Sequence, residues 1–69
     1  MSSLGEELPK EQARVRKLIT EYRDPILKGA GNLAAIMMEQ ALQRADKANI
    51  SRDVVGMIRC YKELKGFTG

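Results

Sequence analysis

Sixty-nine residues, 43% of them hydrophobic, with a net charge of +3, make one small domain at most. A core of that size nets only about 3–5 kcal/mol, so chains this short need a staple. A single cysteine, Cys60, and no histidine exclude an internal disulfide and a structural zinc site, which leaves self-association as the staple.

The opening stretch "MSSLGEELPKEQ" is polar and acidic, unlike a secretory signal. No apolar run approaches the roughly 18 residues that span a bilayer. The expectation is a cytoplasmic chain, in keeping with its unpaired cysteine. Twelve Lys and Arg against nine Asp and Glu favour anionic partners mildly, without the dense basic stripe of a nucleic-acid binder.

In chain order, residues 1–8 are expected to form a flexible leader, with Leu8 its one candidate for docking. Pro9 suits the first position of a helix, and Glu11 and Gln12 follow in the first turn, where negative charge suits the dipole. Val15, Leu18, Ile19 and Tyr22 recur at helical spacing and define the buried stripe of a helix over 9–24. Lys10, Arg14 and Lys17 form a second, basic stripe. Asp24-Pro25 ends the helix, because a residue before proline is pushed out of the α region.

Gly29, Gly31 and Asn32 make a corner, after which a second helix is predicted over 29–48. Its first half, "LAAIMM", is apolar on every side, the mark of a helix buried all round. Two thin neighbours from one chain cannot cover it, so Leu33, Ile36, Met37 and Met38 are assigned to an interface between copies. In the second half Ala41, Leu42 and Ala45 point inward, and Gln43, Arg44, Asp46 and Lys47 point out. Asn49 and Ile50 are read as a turn and Ser51 as the N-cap of a third helix over 51–65, with Asp53 in its first turn. Val54, Met57, Ile58, Tyr61 and Leu64 form its stripe, widened by Val55 and Cys60. Gly56, costly inside a helix, marks a close helix–helix approach, and Gly66 a stop. The fold expected is all-α: one three-helix domain over 9–66 with a 67–69 tail, its protomers assembled into a helical homo-oligomer.

Catalysis is poorly provided for. General acid–base chemistry at neutral pH mostly uses histidine, which is absent, and Cys60 sits among apolar residues with no base nearby. The charged pairs near the end of the first helix, Glu21 and Asp24, read as solvated groups. The corner "KGAGN" has two readings, a tight turn or an anion cradle. A helix N-terminus offers unpaired N–H groups, glycines allow close approach, and Lys28 adds a charge. Tyr22 and Arg23 end the preceding helix and could supply a stacking surface and a bidentate donor. The order of residues is not that of a Walker A loop, and no strand precedes it. Nucleic acid could be met by the basic stripe of the first helix or by Arg52, Arg59 and Lys62, in either case through phosphates and with little specificity.

The stretches "MSSLGEELPKEQARVR", "MMEQALQRAD" and "DVVGMIRCYKELKG" resemble a group of very short proteins encoded by tailed phages and prophages of Gram-negative bacteria. In that group a Gly/Ala-rich corner precedes the "EQAL" helix, as "KGAGNLAAIMMEQAL" does here, whereas "YRDPILKG" departs from the usual form. Small helical phage proteins of this kind commonly act by binding, often to disable a host defence, and some unrelated ones sequester nucleotide second messengers. The resemblance, by analogy, implies a non-catalytic, homo-oligomeric counter-defence protein without cofactor or metal. Its most concrete form is a sponge for a cyclic or ADP-ribose-type nucleotide. Lys28, Gly29, Gly31 and Asn32 would hold phosphate, Arg23 would pair with it and Tyr22 would stack on a base. The alternatives are a protein–protein inhibitor or adaptor of a host factor working through "LAAIMM", and a weak nucleic-acid-binding regulator of phage gene expression.

Overall fold

The computed structural model of the chain describes residues 3–68. Among these the elements are α1 (Leu4–Tyr22), a 3₁₀ turn (Pro25–Leu27), α2 (Asn32–Ser51) and α3 (Val54–Lys65), with no strand. Each helix packs against the other two.

Helix α1 begins well before the Pro9 start that the sequence suggests, so residues 4–8 are a helical turn and not a leader. Leu8 is fully buried and Leu4 packs on the same cluster, extending the stripe that Val15 and Leu18 continue. Pro9 inside the helix removes the donor for the carbonyl of Gly5, which lies on an exposed turn. Burying Leu8 fully and Leu4 in part, at about 1.5–3 kcal/mol for a full burial, offsets much of the roughly 3 kcal/mol that an interior proline costs. One polar residue joins the stripe. Buried Gln12 donates from Nε2 to Asp46 Oδ1 at 2.8 Å and accepts from Asn49 Nδ2 at 3.1 Å, which fixes the register of α1 on α2.

The inner face of α2 is built from small side chains, Ala35, Ala41, Ala45 and Ala48, with only Met38 and Leu42 adding bulk. Small residues at a helix contact bring the axes close. The consequence is a partly inverted first half, in which Leu33, Ile36 and Met37 lie on the outside and Met38 is the one large apolar side chain turned inward.

Helix α2 also runs longer than predicted. Asn49, Ile50 and Ser51 are helical, and Ser51 caps nothing: its hydroxyl donates to the Lys47 carbonyl. The stop is a Schellman motif centred on Arg52, left-handed at φ 53°. The Asp53 N–H donates to Ala48 O at 3.0 Å and the Arg52 N–H to Asn49 O at 3.3 Å. Asp53 then caps α3, its Oδ1 accepting from the Gly56 N–H.

Helix α3 buries a narrower face than the predicted stripe. Cys60 and Leu64 are buried, Met57 and Tyr61 pack beside them, and Val54, Val55 and Ile58 face outward. Gly66 ends α3 in right-handed geometry, so left-handed glycine freedom is not what stops the helix. Arg14 does that work from α1. Its two terminal nitrogens donate to the carbonyls of Leu64, at 2.8 Å, and Phe67, at 2.9 Å, while Nε holds Glu11 at 2.7 Å. The Tyr22 hydroxyl donates to the Thr68 carbonyl at 2.6 Å, so residues 67 and 68 are tied to α1.

The Cα radius of gyration is 12.6 Å, against about 11 Å for a compact domain of this length. Two long helices and a shorter third, in an elongated arrangement, leave one flank of α2 uncovered.

Candidate functional site

Two features compete as a site: the corner before α2 and the outer surface of the helices. At the corner, Asp24 accepts the Ile26 N–H into its carboxylate, which starts the 3₁₀ turn. Lys28 follows in left-handed geometry at φ 52° and Gly29 at φ 84°. Gly31, buried, is pressed against the end of α1: a Cβ there would sit 2.2 Å from the Tyr22 carbonyl oxygen. The second glycine is therefore required by a close backbone contact, as a tight turn demands.

The six residues expected at this corner are thus dispersed in role. Arg23 donates to Glu39 Oε1 at 2.9 Å. The Tyr22 ring packs on the core, with its hydroxyl committed to Thr68. Gly31 is enclosed, Asn32 begins α2 on the surface, and Lys28 and Gly29 are exposed. No side chain caps the N-terminus of α2. Lys28 has no carboxylate within ion-pair distance among the described residues.

Two of the three residues of the basic stripe of α1 are matched by acids: Lys10 lies 3.5 Å from Glu7 and Arg14 2.7 Å from Glu11, while Lys17 has no carboxylate within ion-pair distance among the described residues. Arg16, beside the stripe, lies 3.7 Å from Asp46. These pairs on the surface stabilise little, about 0–1 kcal/mol each, but they lower the positive field that α1 offers a phosphate backbone.

The outer surface of α2 differs in kind. Leu33 is 70% exposed, Met37 51% and Ile36 45%, and the 3₁₀ turn adds Ile26 and Leu27 to the same end of the molecule. Met38, grouped with them from sequence, is 2% exposed and belongs to the protomer's own core; no partner can reach it. Ile26 and Leu27 carried no signal, since a two-residue apolar step after proline has no periodicity. A second patch, Ile50, Val54, Val55 and Ile58, lies at the α2–α3 junction.

Between α2 and α3 runs an open cleft of about 480 Å³. Cys60 forms part of its floor. Burial pushes this thiol above its ordinary range, with Glu63 raising it further, Arg44 opposing and Asp53 adding a little. It is consequently a protonated, poorly nucleophilic thiol. Among the described residues no group of His, Cys, Asp and Glu is placed to hold a metal ion, and no helix is long and apolar enough to cross a membrane.

No protein-family model matches the chain, and neither a curated protein nor a solved structure matches it.

Proposed function

We propose that this chain is a non-catalytic binding protein that works as a self-associated helical unit, with the outer face of α2 and the adjoining 3₁₀ turn as its docking surface. The observation that carries the reading is the inversion of α2: alanines inward, Leu33, Ile36 and Met37 outward. A helix gains most by burying its largest apolar side chains, about 1.5–3 kcal/mol each. Placing them on the solvent side makes sense when another surface covers them. A host factor as the class of target, and counter-defence as the role, are supported by analogy through the resemblance to small phage proteins.

Within that role, inhibition or adaptation of a host protein fits the geometry best, because an apolar helical face is what a partner helix docks on, the partner taking the place of the second copy on that face. Nucleotide sequestration remains the narrower form. It calls on Lys28 and the backbone of Gly29, Gly31 and Asn32, and requires Arg23 to exchange Glu39 for phosphate.

Two variants separate these forms. Ile36→Glu is expected to abolish self-association and partner binding with helical content by circular dichroism unchanged, while Lys28→Ala leaves both intact. Nucleotide capture predicts instead that a panel of cyclic and ADP-ribose-type nucleotides raises Tm and that Lys28→Ala cancels the rise. Self-association untouched by Ile36→Glu would remove the proposed surface.

A further inference from the structure

The cleft between α2 and α3 belongs neither to the corner nor to the apolar face. Its walls are two helix faces of matching spacing: Arg44, Lys47, Ala48 and Ser51 on α2, and Gly56, Arg59, Cys60 and Glu63 on α3. Seven residues of helix span about 10 Å, and 480 Å³ lies within the range of small-molecule sites.

Its charges are unevenly committed. Glu63 accepts from Arg44 at 2.8 Å at one end, and Asp53 spends Oδ1 on the Gly56 N–H at the other. That leaves Lys47 on one wall and Arg59 on the other, neither with a carboxylate within ion-pair distance among the described residues. The floor between them is apolar: Ala48 and Cys60 are buried, and Gly56 contributes no side chain. A Cβ at Gly56 would lie 2.6 Å from Asp53 Oδ2, so a larger residue there would have to push the capping carboxylate aside.

We infer that this cleft binds a small phosphate monoester, its dianionic head between Lys47 and Arg59 and its flat or apolar body on the Ala48–Gly56–Cys60 floor. Two cations on opposing walls match two negative charges, where a carboxylate would satisfy one. The guanidinium of Arg59 adds the planar fork that suits phosphate oxygens. Inorganic phosphate fills only a fraction of the space and makes no use of the floor. The inference is independent of the association surface.

The test is a titration of the full chain with phenyl phosphate, followed by amide NMR. The expected result is saturable shifts confined to residues 44–63. Inorganic phosphate should bind roughly tenfold more weakly, since it forfeits the floor. Lys47→Gln and Arg59→Gln should each weaken binding about tenfold or more, the loss of one charge-assisted contact, while Lys28→Gln should not change it. Both positions are on the surface, so these variants keep the fold. Absence of saturable shifts at about 10 mM ligand, or binding indifferent to both substitutions, would overturn the site. Equal affinity for inorganic phosphate would overturn the role of the floor, and tighter binding of a 5′-phosphorylated oligonucleotide would overturn the assignment to a small free ester.

Discussion

Gly31 and Arg52 stand at the two ends of α2 and put opposite demands on their side chains. At Gly31 a methyl group meets the Tyr22 backbone at both carbonyl atoms and Cα, none of which can swing aside. Gly31→Ala should therefore cost about 3 kcal/mol, the upper end of overpacking, in a urea melt. Gly29→Ala meets only the Asn32 side chain at 3.4 Å and bears the left-handed backbone, about 1 kcal/mol. A smaller loss at Gly31 than at Gly29 would refute the close-contact account of the corner. Arg52 holds the left-handed position of a Schellman motif, where glycine is the usual occupant. Arg52→Gly is predicted to stabilise the chain by about 0.5–1 kcal/mol, read as a higher denaturation midpoint. At Cys60 the sign follows from its raised pKa. As pH rises the unfolded thiol ionises first, so its contribution is intact below the ordinary thiol range and declines above it. Stability measured between about pH 7 and pH 9.5 should fall in the native chain by an increment that Cys60→Ala removes.

Helix α1 and the C-terminal tail illustrate how one side chain can set an element's limit from a distance. Arg14→Gln removes the donors to the Leu64 and Phe67 carbonyls, which should loosen residues 64–68 and cost about 1.5–3 kcal/mol. Hydrogen exchange checks it: the amides at the end of α3 should lose protection and those of α2 should not. This contact was invisible in the sequence, where Arg14 falls on a basic stripe with Lys10 and Lys17 and its partners lie more than fifty residues away or nearly so. The helices themselves were legible, because Val15, Leu18, Ala41, Leu42 and Ala45 keep strict helical spacing and Asp24-Pro25 breaks it. Their ends were not. Pro9 looks like a first position until Leu4 and Leu8 are seen to bury, and Ser51 looks like a cap until Arg52 takes the left-handed turn. The third stripe was drawn too wide for a related reason: Met57, Tyr61 and Leu64 do face inward with Cys60, but Val54, Val55 and Ile58 are as apolar as they are, so periodicity alone cannot say where the inner face ends. At the corner the sequence pointed to the right residues for a tight turn, but Arg23–Glu39 and Tyr22–Thr68 are tertiary pairings with no local trace.

The described residues form an elongated three-helix body with two apolar areas left open, one at the start of α2 with the 3₁₀ turn and one at the junction of α2 and α3. Lone surface hydrophobes are ordinary; groups of four or five on so small a protein are not. The alanine face of α2 explains why this arrangement persists. Turning the helix to bury Leu33, Ile36 and Met37 would force the axes apart and expose Met38 and Leu42 instead. A second copy covering the outer stripe resolves both requirements, and the pairing of one patch with itself would close the assembly as a symmetric dimer. The direct measurement is the solution mass of the purified chain by light scattering across a dilution series. The account predicts at least two copies of the 7.7 kDa chain at high concentration, returning to one copy in Ile36→Glu. A single-copy mass throughout, in a folded protein, would contradict it.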